Sequence, residues 1–90
     1  MTSILQTERR CYKTGTTIQL DKHHVMNGAY RKKAEEYGLY VYLNHTVHMW
    51  LHSTGEGQEY ARHLKSIAQK RFEEIYSHEL WMKEFKKNYE

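Results

Sequence analysis

The longest regular pattern of apolar positions lies in the C-terminal half of the chain. Between residues 59 and 76, apolar side chains recur every three or four positions, at Ala61, Leu64, Ile67, Ala68, Phe72 and Ile75. This spacing places them on one face of a helix that packs against a core. Ser77 interrupts the pattern and can cap a last helix, whose inner face would consist of Trp81, Phe85 and Tyr89. Residues 58–90 are therefore predicted to form a helical extension.

The N-terminal half carries shorter signals of mixed type. Residues 1–8 are polar and predicted to be a flexible lead-in. The stretch 11–20 (CYKTGTTIQL) favours strand, turn and strand, with the second strand running on to residue 25. A short helix over 29–37 would end at Gly38, a strand would follow over 39–43, and Asn44 would cap a helix over 45–52. Residues 53–58 (STGEGQ) are predicted to be a loop, and the fold class is α+β.

Composition narrows the classes of protein to which the chain can belong. Its 90 residues allow one domain, and the net charge of +3 excludes a strongly acidic mimic of DNA. The single cysteine allows no intramolecular disulfide, which fits a reducing, cytoplasmic location. No stretch approaches the roughly 18 apolar residues of a membrane span, so no membrane partner is expected.

Four histidines have a spacing that indicates a metal site. His48 and His52 lie four residues apart, which places both imidazoles on one face of a helix, one turn apart. Such a pair can bind a single metal ion. His23 and His24 are adjacent on a predicted strand, so their side chains point to opposite faces. One of them can join the metal while the other is free for acid–base chemistry, as in a small metal-dependent hydrolase.

These residues also occur in an order that resembles a known family. The segments DKHHV at 21–25 and LYVYLNHTVHMWLH at 39–52 resemble the HNH, or His-Me finger, nucleases, especially colicin-type DNases and small HNH proteins of phages. The likeness covers roughly residues 11–52, with a further phage-like segment QKRFEE at 69–74. It implies a single HNH-like domain over 1–90, in which a ββα-metal core with an antiparallel hairpin and a helix precedes the helical extension.

The resemblance also implies roles for the histidines. His24 would be the general base, and His23, His48 and His52 would bind one divalent ion. Imidazole ligands favour Zn, Ni, Co or Mn over Mg, although Mg is kept as an alternative. The family's asparagine, which props the loop holding the base, has no clear counterpart, and Asn27 and Asn44 are the two possible orienting residues. His45 is either a spare ligand or, more simply, a solvated residue near the helix start.

The expected function is metal-dependent hydrolysis of DNA phosphodiester bonds with loose sequence specificity. The protein would be phage-encoded and act in the cytoplasm of a bacterial host. Basic residues around the motif would contact DNA phosphates, although a solvated surface explains each one equally well: Arg9, Arg10, Lys22, Arg31, Lys32 and Lys33. Two alternatives stay open. One is a non-catalytic protein on this scaffold that seizes nucleic acid or blocks a host defence protein, and the other is a subunit of a larger phage machine.

Overall fold

The fold pairs a small antiparallel sheet with four α-helices and one short 3-10 turn. The computed structural model describes residues 2–90, and over this range the elements are β1 (Leu20–His24), the 3-10 turn (Gly28–Tyr30), α1 (Arg31–Tyr37), β2 (Tyr40–Asn44), α2 (His45–Ser53), α3 (Gly55–Ile75) and α4 (His78–Phe85). The predicted α+β class, with a ββα unit followed by a helical extension, is confirmed.

The register of the sheet decides which side chains share a face. β1 and β2 are antiparallel, with Asp21 opposite Leu43 and His23 opposite Val41. Because residues two positions apart on a strand point to the same side, Asp21 and His23 share a face, and this face packs on α2. Lys22 and His24 lie on the other face. β2 then continues into α2 without an intervening loop.

The predicted hairpin over residues 11–20 is wrong, because the first strand begins only at Leu20. Residues 11–16 instead form a turn in which the amide of Cys11 donates to the carbonyl oxygen of Thr16 at 2.7 Å. The side-chain oxygen of Thr16 accepts from the amide of Ile18 at 3.3 Å, a local bond that competes with a strand ladder. Gln19 has a left-handed backbone (φ 47°), which interrupts extended structure immediately before β1.

The predicted loop over residues 53–58 is also wrong, because α3 begins at Gly55. Thr54 caps this helix by accepting from the amide of Gly57 at 2.8 Å. Gly57 is buried, and a Cβ at this position would overlap the carbonyl oxygen of Trp50 and the Cα of Leu51. The glycine therefore allows α3 to pass very close to α2.

The core joins the helical extension to the ββα unit. Leu64, Ala68 and Phe72 of the predicted apolar stripe are buried, whereas Ile75 is exposed. The stripe thus ends one turn before the helix does. Other buried side chains come from β2, α2 and α4: Val41, Leu43, Leu51, Trp81 and Phe85.

The last helix begins where predicted but ends earlier than expected. The side chain of Ser77 accepts from the amide of Leu80 at 3.0 Å, which confirms its capping role. α4 ends at Phe85, so Tyr89 lies beyond the helix, although its ring contacts Trp81 with centroids 6.4 Å apart. Over residues 2–90, every helix is too short or too polar to span a bilayer.

The segment before the sheet lies along β2. The hydroxyl of Ser3 donates to the carbonyl oxygen of Tyr40 at 2.6 Å, and the side-chain oxygen of Gln6 accepts from the amide of Tyr42 at 2.9 Å. The amide of Ile4 donates to the carbonyl oxygen of Gly38 at 2.9 Å. The predicted lead-in is therefore hydrogen-bonded to the sheet region, and its flexibility stays a prediction.

Candidate metal centre

Three histidines from two elements form one cluster. His23 comes from β1, and His48 and His52 lie one turn apart on α2. One ring nitrogen from each lies within 4.8 Å of those of the other two, and the Nε2 atoms of His48 and His52 are 3.2 Å apart. The three side chains are close enough to bind a single metal ion.

The junction between β2 and α2 places the two helix histidines. Asn44 ends β2 and caps α2, since its side-chain oxygen accepts from the amide of Thr46 at 3.0 Å. Its amide group donates to the carbonyl oxygen of Ile18 at 2.9 Å. Asn44 thus fixes the direction in which α2 leaves the sheet, and with it the positions of His48 and His52.

A carboxylate behind the cluster orients one of its members. Asp21 Oδ2 accepts from Nδ1 of His48 at 3.0 Å and from Nδ1 of His45 at 2.8 Å. With its Nδ1 proton bound in this way, His48 turns Nε2 toward the other two histidines. The hydrogen bonds from His45 and then from His48 hold the pKa of Asp21 below its usual range. His45 itself is exposed and lies outside the cluster.

Asp21 was not identified from the sequence, although a signal was present. It precedes His23 by two residues on a strand, so both side chains point to the same face. A carboxylate that shares a strand face with a candidate ligand is a natural partner for the second nitrogen of a metal-bound imidazole.

The buried position of His23 keeps it in the form that binds metals. The residue is 5% exposed, and burial, followed by the charges of His48 and His52, lowers the pKa of His23 to about 4. The imidazole is therefore neutral at physiological pH and has a lone pair available for a metal ion.

His24 has different surroundings from those of its neighbour. Its Nε2 lies 2.6 Å from Oε1 of Glu35 on α1, and Nε of Arg31 donates to its Nδ1 at 3.4 Å. The carboxylate of Glu35 also accepts from Nζ of Lys22 at 3.4 Å. The hydrogen bond from His24, followed by that from Lys22, holds the pKa of Glu35 below its usual range.

Glu35 is a second functional residue that was not identified from the sequence. Arg31 and Glu35 are four residues apart, which puts them one turn apart on the same face of α1. Nothing in the sequence shows that this face turns toward the end of β1. The two asparagines considered as orienting residues make no hydrogen bond to His24 in the part of the chain that the structure describes.

A cleft brings the cluster and His24 together. It has a volume of about 310 Å³ and is lined by Lys22, His23, His24, Asn27, Gly28, Arg31, His48 and His52. His24 is the last residue of β1, so it reaches the cleft although it points to the opposite face of the sheet from His23. The cleft therefore contains every histidine expected to take part in chemistry.

The six basic residues expected to bind nucleic acid separate into two groups. Lys22 and Arg31 line the cleft, and Lys32 lines an adjoining hollow beside His24 and Glu35. The other three lie elsewhere: Arg9 over the ring of Tyr42, Arg10 paired with Glu8, and Lys33 paired with Glu84. Lys65 on α3 was not expected, yet its charge contributes to the lowered pKa of His23, after burial and the three neighbouring histidines.

Comparison of the chain with family models, with curated proteins and with solved structures gives no match.

Proposed function

We propose that this protein is a metal-dependent endonuclease of the HNH type that hydrolyses DNA phosphodiester bonds with loose sequence specificity. One observation carries the proposal. A three-histidine cluster suited to a metal ion and a separately held histidine, His24, line the same cleft. Hydrolysis of a phosphodiester needs both charge stabilisation at the phosphate and a base for the attacking water.

The donor set fits a divalent transition ion. Three imidazoles leave coordination positions open, as in catalytic rather than structural sites. Imidazole nitrogen favours Zn, Ni, Co or Mn, whereas Mg prefers oxygen ligands. When bound, such an ion would stabilise negative charge on the scissile phosphate and on the leaving oxygen. Asp21 would hold His48 in its binding orientation, and the buried position of His23 would keep that ligand neutral.

The proposed reaction uses His24 as the general base. The imidazole takes a proton from water while the water oxygen forms a bond to phosphorus. One P–O ester bond breaks, its electron pair stays on the leaving oxygen, and that oxygen takes a proton from solvent. The products are a phosphomonoester and an alcohol, so water is the only co-reactant.

The charges at the rim of the cleft favour a substrate that is bound through its phosphate backbone. Lys22, Arg31 and Lys32 place three cations around His24. Contacts to phosphate position a duplex but carry no information about base sequence. Loose specificity is the expectation, because these three cations would contact phosphates rather than base edges.

A plasmid-nicking assay tests this function. Purified protein is incubated with supercoiled DNA and Mn, Mg, Co, Ni or Zn, and in parallel with EDTA. We expect nicking with at least one transition ion, and a loss on the order of 10²–10⁴-fold in the His24→Ala variant, with its metal content retained. His63→Ala, which changes an exposed histidine on α3 outside the cleft, is the matched control, and nicking by the His24→Ala preparation reports any contaminating nuclease. Inactivity with every ion, or full activity of His24→Ala, would contradict the proposal.

The second candidate function is a non-catalytic binder of nucleic acid or of a host or phage protein. It is favoured by the fact that both ring nitrogens of His24 already have side-chain partners, Glu35 and Arg31. Under this alternative the protein would bind DNA or a partner protein but would not nick plasmid with any ion.

A further inference from the structure

We propose that Glu35 is the residue that positions the base, fixing His24 in the tautomer with its proton on Nε2, so that Nδ1 accepts the proton from water. The catalytic part of this inference rests on the proposed nuclease function. The part that concerns the tautomer stands on the geometry of three side chains and can be tested without activity.

The hydrogen-bonding capacities of the two partners determine the tautomer. A guanidinium group can only donate hydrogen bonds, so Nδ1 of His24 must carry a lone pair to accept from Arg31. An ionised carboxylate can only accept, so Nε2 must carry the proton that points to Glu35. Both contacts therefore require the same neutral form of the imidazole.

The surroundings of Glu35 keep it ionised and in place. Nζ of Lys22 lies 3.4 Å and 3.5 Å from its two carboxylate oxygens. α1 ends directly after this turn at Gly38, whose left-handed backbone (φ 72°) returns the chain to β2. The amide of Leu39 donates to the carbonyl oxygen of Ala34 at 2.8 Å, so the helix and the strand opposite His24 are tied together by a very short connection.

This arrangement supplies what the sequence motif lacks. Within residues 2–90, neither Asn27 nor Asn44 forms a hydrogen bond to His24. The short distance to Glu35, 2.6 Å, provides an orienting contact from α1 instead. A carboxylate on the second nitrogen of an imidazole is a general way to fix its tautomer and its ring orientation.

Arg31 contacts Nδ1 of His24, the atom proposed to accept the proton from water. Its bond to Nδ1 is long, 3.4 Å, and its side chain is exposed at the cleft. An incoming phosphate attracts the guanidinium more strongly than a neutral imidazole does. Substrate binding would thus draw Arg31 to the phosphate and leave Nδ1 free for water.

Nitrogen NMR of the zinc-loaded protein tests the tautomer directly. Long-range proton–nitrogen spectra at mildly alkaline pH distinguish Nε2–H from Nδ1–H imidazoles, and loss of one signal in His24→Ala assigns the residue. We expect Nε2–H in the wild type, a mixture in Glu35→Ala, and retention of Nε2–H in Glu35→Gln, because the amide oxygen still accepts. Glu36→Ala, an exposed glutamate on the same helix, is the matched control. A Nδ1–H signature in the wild type overturns the inference. An unchanged signature in Glu35→Ala does so too, because it would show that the long contact from Arg31 suffices to set the tautomer.

Cleavage kinetics test the catalytic consequence. Glu35→Ala should lower kcat on the order of 10²-fold with little change in KM or zinc content, and Glu35→Gln should recover most of the rate. An unchanged kcat in Glu35→Ala overturns the positioning role. If the wild type cleaves no DNA, the proposed nuclease function fails, and the NMR result still decides whether Glu35 sets the tautomer of His24.

Discussion

At the scale of single residues, side chains that contact the histidines are as informative as the histidines themselves. The spacing of His48 and His52 predicts a shared helix face, and the structure places both beside His23. The sequence places Asp21 on the same strand face as His23, but the histidine partners of Asp21 and Glu35 depend on how α1 and α2 lie against β1. The position of a residue in a strand predicts the face to which its side chain points. The tertiary fold determines which helix packs on that face.

The carboxylate behind His48 should control metal affinity. Replacing Asp21 by Ala removes the acceptor for Nδ1 of His48, so the imidazole loses its fixed orientation. We expect zinc affinity to fall about 10–100-fold, measured by competition with a chelating indicator. His45→Ala is the control, because it removes the other partner of Asp21 and leaves the three ligands intact. Equal affinities of wild type and Asp21→Ala would show that the contact has no orienting role.

The low pKa of His23 predicts acid sensitivity of the metal-free protein. The unfolded chain takes up a proton at this residue below about pH 6.5, whereas the folded chain does so only near pH 4. The unfolded state therefore binds more protons in this window, and stability falls as the pH falls through it, by up to about 3 kcal/mol. Urea unfolding with a chelator at several pH values measures the change. A slope that is the same in His23→Gln would assign the acid sensitivity to other groups.

At the scale of elements, the sequence predicted helices and caps better than the connections between them. The stripe on α3, the caps Asn44 and Ser77, and the end of α1 at Gly38 follow from local rules that the fold leaves intact. The prediction of a hairpin over 11–20 failed because threonine hydroxyls accept hydrogen bonds from local amides, and because β1 pairs with β2. The loop over 53–58 failed because glycine usually weakens a helix, whereas here it permits a close contact that polarity patterns do not reveal.

Gly57 should be the most sensitive position at the junction of α2 and α3. An added methyl group would overlap the backbone of Trp50 and Leu51, so Gly57→Ala must push the two helices apart. We expect a loss of about 1–3 kcal/mol in thermal or urea unfolding and weaker zinc binding, because α2 carries two of the ligands. Gly55→Ala is the control, since a Cβ there meets no atom within 4 Å. A Gly57→Ala protein as stable as Gly55→Ala would mean that the junction accommodates the methyl group.

At the scale of the whole molecule, the site depends on the helical extension. Phe72 and Trp81 fill the core beneath the ββα unit, and the ring of Tyr37 at the end of α1 packs on Phe72 with centroids 5.0 Å apart. The amphipathic pattern predicted that one face of this extension packs against the rest of the protein. It could not show that its partner is the short helix whose Arg31 and Glu35 hold His24.

The segment before the sheet has a further consequence, for self-association. A two-stranded sheet exposes unpaired backbone groups that can pair with another chain. Ser3 and Gln6 occupy such groups on Tyr40 and Tyr42, so the segment shields the outer side of β2. Deleting residues 2–6 should therefore promote assembly by strand addition, visible as larger species in size-exclusion chromatography with light scattering. Gln6→Ala alone should show a smaller effect, and a truncated protein that elutes like the full chain would show that β2 needs no shield. The first residues would thus protect the ββα unit from aggregation through the open edge of its sheet.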